Sequence, residues 1–101
     1  MDRRAGERSG ETRLEANSPN PCNAGTVIPF AVAQTGMVRL DLYDLAGQRV
    51  RSLVHQALPA GAHRVFWDGR DRQGWPVATG VYLYTLTVGQ QRVSRRLVVL
   101  K

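Results

Sequence analysis

The residues able to do chemistry in this chain are few. There are two histidines, His55 and His63, and one cysteine, Cys22. Nucleophilic catalysis needs a nucleophile with an oriented base within reach. Each histidine falls at a strand end or turn beside arginine-rich sequence, as surface histidines commonly do. Cys22 follows Pro21 and has no base near it in sequence, so a small buried hydrophobe is its expected role. A lone cysteine cannot form an internal disulfide, and no Gly-rich loop leads into a helix to cradle a phosphate. No catalytic residue, metal ligand or cofactor-binding residue is therefore assigned.

Two clusters remain. Trp67-Asp68-Gly69-Arg70-Asp71-Arg72-Gln73-Gly74 places two aspartates three apart in a glycine-bearing loop. Calcium takes six to eight oxygens, and this loop offers two carboxylates plus carbonyls, without the regular spacing or terminal Glu of an EF-hand. Its arginines oppose a cation. The expected role of Asp68 and Asp71 is to cap backbone N–H groups, with the glycines at positive φ. The second cluster is Arg92, Arg95 and Arg96 near the C-terminal end, close in sequence to Tyr82 and Tyr84. Charge with stacking aromatics can bind single-stranded nucleic acid. Charges also blunt an edge strand, and the apolar run Leu97–Leu100 needs such gatekeepers. The second role is the expected one, with no nucleic acid as partner.

These residues must be positioned by a chain of 101 residues, 43% hydrophobic and 22% charged. That suits one globular domain. The net charge is +6, all but one of the basic residues being arginine. The basic residues are scattered, as on solvated strand faces, although a binding module for an anionic polymer is an alternative use. No apolar run approaches the ~20 residues of a membrane span, so none is expected. The stretch from Met1 to Asn20 lacks the apolar core of a signal peptide. If the protein works outside the cell, it is expected to be the C-terminal piece of a longer precursor.

Residues 1–12 are charged, aperiodic and contain Gly and Ser, and read as a tail. The domain boundary is drawn after residue 16. Short β-type runs then alternate with turn signals: Leu14–Ala16, Thr26–Val32, Met37–Tyr43, Arg49–Val54, His63–Trp67, Val81–Val88 and Gln91–Leu100. In Met37–Tyr43, Val38, Leu40 and Leu42 fall on one face, and Arg39 and Asp41 on the other, as in a strand with one wet face. Val50 and Val54 alternate with Arg49 and Arg51. Pro29 lacks a ladder donor and predicts an edge or a bulge. Asp44–Gln48 reads as a hairpin-like turn. About seven strands without helical periodicity predict an all-β, immunoglobulin-like antiparallel sandwich.

Four patterns, in order, carry a family resemblance over residues 17–101. Asn20-Pro21-Cys22-Asn23-Ala24-Gly25-Thr26-Val27-Ile28-Pro29-Phe30 resembles an NPFNPxTxIxF opening, with Cys22 and Ala24 where Phe and Pro are usual. Leu42 to Val50 resembles a V-x-D-x-x-G-R-x-V hairpin, with Asp44 and Gly47 at its turn. Gly61 to Asp71 resembles G-x-H-x-x-x-W-D-G-x-D, carrying Trp67, Asp68, Gly69 and Asp71, with Gly74 closing the loop. Ala78-Thr79-Gly80-Val81-Tyr82, with Ala78 where many members have Pro, and then Arg96 to Lys101 resemble the final G-x-Y strand and basic, aliphatic end. This is the pattern of the C-terminal sorting domain of the type IX (Por) secretion system. The immunoglobulin-like domain of the flagellar hook-capping protein shares it.

The resemblance implies a non-enzymatic sorting module joined covalently to a passenger upstream. Its implied partners are an outer-membrane secretion translocon and a sortase-like peptidase. Its implied location is the periplasm in transit, then the cell surface or beyond. The residues implied in translocon recognition are Gly80, Tyr82, Arg96, Leu97, Val98, Val99, Leu100 and Lys101. The hook-capping branch implies a structural scaffold module instead.

Overall fold

The computed structural model describes residues 11–101. Of the tail expected at the N-terminus, with its boundary after residue 16, residues 1–10 lie outside the described residues. Seven strands form: β1 (Arg13–Leu14), β2 (Thr26–Val32), β3 (Gly36–Asp44), β4 (Arg49–Leu58), β5 (Gly61–Trp67), β6 (Gly80–Val88) and β7 (Gln91–Val99). They make a three-stranded sheet, β1-β2-β5, facing a four-stranded sheet, β4-β3-β6-β7. Every strand pairing within the sheets is antiparallel. This is the expected immunoglobulin-like sandwich.

Strand alternation builds the core. β3 turns Val38, Leu40 and Leu42 inward, β2 turns Ile28, Phe30 and Val32, and β6 turns Tyr82, Tyr84 and Leu86. Trp67, Leu97 and Val99 complete it from β5 and β7. Burying each large side chain is worth about 1.5–3 kcal/mol.

Three expectations are refined. The boundary drawn after residue 16 falls inside the fold. Arg13 and Leu14 pair with Ala31 and Phe30, Leu14 is buried, and Ala33 N donates to Thr12 Oγ1 at 3.1 Å.

Pro29 lies in the middle strand, and its register with β5 is unbroken, so the irregularity it predicts falls on the β1 side alone: Glu15 pairs with Pro29, but Ser18 and not Asn17 pairs with Val27, a one-residue bulge beside the proline. The proline is tolerated because its nitrogen faces the side on which β1 has already ended. Glu15 N donates to Pro29 O at 3.0 Å, but Pro29 has no N–H to return. The Glu15 carbonyl accepts instead from the Tyr84 hydroxyl, at 2.8 Å from the opposite sheet.

Regular alternation in β4 also fails. The β3–β4 register shifts twice, between Leu40 and Asp41 and between Leu42 and Tyr43. Such bulges re-aim side chains. Arg51 pairs with the inward-facing Leu42 and lies on the inner side of its sheet, not among solvent-facing arginines. β4 then runs on to Leu58, where the chain steps across to the other sheet.

The Tyr84 phenol titrates above the ordinary tyrosine range. Burial is the main cause and the Glu15 charge adds to it, against the Asn17 N–H and Arg95. A folded value above the unfolded one gives stability that is full below the unfolded value and lost as pH rises through the folded one. Tyr84→Phe strands the Asn17 N–H and the Glu15 carbonyl, and should cost about 1–3 kcal/mol in denaturant unfolding at neutral pH. Above about pH 10 the variant should lack the part of the alkaline loss that Tyr84 ionisation causes.

Candidate functional site

The residues assigned to recognition come together in the closing hairpin. Gly80 pairs with Val99, Val81 with Val98, Tyr82 with Leu97 and Leu83 with Arg96. Alternation then splits them. Leu97 and Val99 are in the core, and Tyr82 is buried with its hydroxyl donating to Ala78 O at 2.7 Å. Arg96, Leu100 and Lys101 are exposed, and Leu100 retains 56% of its surface. Lys101 N donates to Thr79 Oγ1 at 3.0 Å, which ties the chain end to the strand start.

β7 is an edge strand, but its last turn of edge is covered. The segment Asn20–Cys22 runs beside it, with Cys22 bridged parallel to Val99. Val98 N donates to Asn20 Oδ1 at 3.0 Å, Cys22 N to Val98 O at 2.9 Å, and Leu100 N to Cys22 O at 2.9 Å. The Asn-Pro motif is thus a clasp on the C-terminal strand. The Cys22 side chain is buried, and burial pushes its thiol up, against its backbone hydrogen bond and Lys101. A thiol held in this way is a poor nucleophile. His63 stacks on Phe30 at 5.5 Å with Nε2 2.7 Å from Pro59 O, and His55 is exposed.

The other motif residues build two turns of one kind. Asp44 N donates to Gln48 O and Gly47 N to Asp44 O, both at 3.0 Å, while Asp44 Oδ1 accepts from Ala46 N and Gln48 N. Asp71 repeats every bond. Its N–H donates to Trp75 O at 2.8 Å, Gly74 N donates to Asp71 O at 3.0 Å, and its Oδ1 accepts from Gln73 N and Trp75 N. Gly47 and Gly74 sit at φ 85° and 90°, where a side chain is strained. Both turns line one shallow cleft of about 360 Å³, together with Val50, Pro76 and Val77. The sequence holds the signal for this repetition, Asp-x-x-Gly at 44–47 and again at 71–74, and sequence reading missed it.

Asp68 does different work. Its Oδ1 accepts from Arg51 Nη1 at 2.9 Å and from Arg70 N at 3.1 Å. Arg51 Nη1 also donates to Arg70 O at 2.9 Å, where Trp67 Nε1 converges at the same distance. Partial burial pushes the Asp68 carboxyl up. The Arg51 hydrogen bond and charge and the Arg70 N–H outweigh it, so the net shift is downward. Asp68 and Asp71 are both spent on structure, as capping predicts.

The arginines of β7 also divide. Arg95 Nε donates to Leu14 O at 2.6 Å, which closes the seam between the sheets, while Arg92 and Arg96 face outward. Tyr82 and Tyr84 are buried and offer no stacking surface beside them. On the outer face of β3, Arg39 lies 3.2 Å from Asp41, whose side chain is only 7% exposed. The wet face expected there is drier than alternation suggests.

A two-sheet immunoglobulin-like domain with these turns defines a class, and comparison defines the family. The sequence model of the FlgD Ig-like domain matches residues 22–92, and the chain belongs to that family. No curated protein matches the sequence. Among solved structures, FlgD of Xanthomonas campestris, described for its role in hook capping, aligns at a TM-score of 0.61 and 26% identity, covering 92% of this chain and 70% of that one. Latent PorU of Porphyromonas gingivalis aligns at 0.70 and 17% identity, covering 88% of this chain and 9% of that one. PorZ of the same organism, an essential surface component of its type IX secretion system, aligns at 0.59 and 24%, covering 96% and 12%. The chain thus spans about a tenth of the length of PorU and of PorZ.

Two measurements probe these contacts. Arg51→Ala should lower stability by about 1 kcal/mol at neutral pH, a modest figure because the pair is partly solvated. Asp68, with its folded value depressed, stabilises above its unfolded value and loses this as pH falls through the folded one. The gap between variant and parent should therefore narrow below about pH 4 in acid unfolding. Asn20→Ala should loosen the clasp, and the rate of Cys22 alkylation should rise about fivefold for a loss of ~1 kcal/mol.

Proposed function

We propose that this chain is a non-catalytic sorting module that directs a larger protein, joined upstream, through the outer membrane by type IX secretion. The implied route is through the periplasm to the cell surface. The partners are the outer-membrane translocon and a sortase-like peptidase. The observation that carries this reading is the final hairpin. Its strands bring Gly80 and Tyr82 against Leu97–Val99 and present Arg96, Leu100 and Lys101 to solvent at the end of the fold. The fold shared with PorU and PorZ supports it.

In mechanism, the side chains of Arg96, Leu100 and Lys101 can be read without unfolding. Leu97 and Val99 can be read only if β7 leaves the core. Reading the backbone of residues 98–100 by strand pairing first requires Asn20–Cys22 to come away.

A second reading is favoured by the family match and by FlgD, which this chain covers for 70% of its length. There the domain is a structural module of a hook-capping type of scaffold, and the cleft between the twin turns is available for subunit contact.

The test is secretion of an exported fluorescent reporter fused to residues 13–101, in a bacterium with a type IX system. The fusion should reach the surface. A version lacking only residues 100–101 should stay in the periplasm while still melting cooperatively, at a midpoint lowered by several degrees for the lost Cys22 and Thr79 bonds, because Leu97 and Val99 remain in place. A folded parent fusion that stays in the periplasm would sink the sorting reading and leave the scaffold reading.

A further inference from the structure

The covered part of the β7 edge fixes the direction of the uncovered part. Val98 and Leu100 donate outward, to Asn20 and Cys22. In an antiparallel strand the backbone groups alternate in direction, and no register shift interrupts the β6–β7 pairing. The N–H and C=O groups of Arg92, Ser94 and Arg96 therefore point outward as well. Among the described residues the clasp stops at Val98 and no backbone bond occupies the outward groups of Arg92–Arg96, with β1 touching this stretch through the Arg95 side chain on Leu14 O.

The side chains at this stretch carry a pattern. Arg92, Ser94 and Arg96 all face the outer side of the larger sheet and all are exposed. Ser94 Oγ lies 2.8 Å from Thr85 Oγ1, which holds the middle position. Arg92 and Arg96 pair with Thr87 and Leu83 on β6, so neither has an acid opposite it on that strand. A strand added outside β7 would continue these cross-strand rows. Its residues facing Arg92 and Arg96 would lie four apart, about 13 Å along the strand. Opposite charges directly across a pair are favourable, and like charges are not.

We propose that Arg92–Arg96 is a strand-addition site for an extended acidic segment of a partner protein, with carboxylates four residues apart over Arg92 and Arg96 and a small polar residue over Ser94. Backbone pairing supplies the binding and the two arginines supply the selection. A second copy of this chain fits poorly. A two-fold axis centred on Ser94 would set Arg92 against Arg96 twice over. The net charge of +6 favours encounter with an acidic partner. This inference goes beyond the sorting reading. It concerns a stretch of β7 before the C-terminal end, and binding in solution needs no secretion system, so each can fail without the other.

The test uses the whole chain and a dye-labelled, capped peptide, Thr-Glu-Val-Thr-Val-Glu-Thr, read by fluorescence anisotropy at low salt. Saturable binding is expected. It should weaken about tenfold or more when both glutamates are replaced by lysine, and likewise when the peptide's pairing edge is N-methylated. Ser94→Pro removes an outward N–H and the Thr85 hydroxyl's partner while sparing the β6 backbone ladder, and should weaken binding similarly while keeping a cooperative circular-dichroism melt at a lower midpoint. Paired Arg92→Glu and Arg96→Glu changes should reverse the preference towards the lysine peptide. If N-methylation leaves affinity unchanged and heparin competes according to charge alone, the edge is a general polyanion surface and the proposal fails. It fails equally if the peptide does not bind, or if the chain sediments as a dimer through this edge. Should Ser94→Pro not fold, the N-methylated peptide and the charge reversal decide.

Discussion

Pro29 sits in the middle strand of the smaller sheet, where every neighbour expects a donor, and it has none. The bond it cannot make would leave the Glu15 carbonyl without a partner as the chain enters the fold. The Tyr84 hydroxyl takes that place from the other sheet, and it also accepts from Asn17 N at 3.0 Å. Asn17 in turn donates through Nδ2 to Thr26 Oγ1 at 3.1 Å and to Pro19 O at 3.2 Å, and Thr26 Oγ1 donates to Pro19 O at 2.9 Å. Asn17 and Thr26 are both buried. Buried polar groups are tolerated when each finds a partner, and then they specify one arrangement of the chain. This knot fixes the path from β1 to β2, and with it where Asn20 emerges.

That placement matters for the other end of the chain. Asn20–Cys22 leaves the knot and lies directly on β7, so the segment that opens the domain covers the strand that closes it. The clasp protects part of an edge that would otherwise offer unpaired groups to any passing strand. The rest of the edge is guarded differently, by Arg92 and Arg96, which repel like-charged strands and remain open to acidic ones. One strand therefore carries two kinds of edge. One is closed by the chain's own backbone, and the other is selective by charge.

Much of this was legible in the sequence. Short runs with period-two alternation and frequent turns specify a sandwich, and six of the seven strands lie where those runs lie. Asp68 and Asp71 were legible as capping residues because Asp and Gly in a loop have few other stable uses. Three features were hidden for physical reasons. Pro29 reads as an edge or bulge residue, and a bulge does lie beside it, but a local rule cannot see the hydroxyl that arrives from the opposite sheet. Arg51 reads as solvent-facing because a bulge shifts register without changing composition. The clasp pairs residues almost eighty apart, and nothing in Asn20-Pro21-Cys22 itself names its partner. Local chemistry fixes faces and turns, whereas contacts that span the chain depend on where the sheets meet.

The same alternation limits what the closing strand can say to a partner. Leu97 and Val99 hold the core and cannot be offered without unfolding it. Val98 is half-buried and its backbone is taken by Asn20 and Cys22. A receptor meeting the folded domain therefore sees Arg96, Leu100 and Lys101, an aliphatic side chain between two cations, at an end tied back to Thr79. A receptor that needs Leu97 and Val99 as well must compete with the whole core, since both strands of the final hairpin contribute to it. Under the sorting reading, the first kind of receptor handles a folded domain, and the second must pull β7 free. The clasp sits at the point where these routes diverge. In the first route it stays shut, and in the second its bonds break before those of the core.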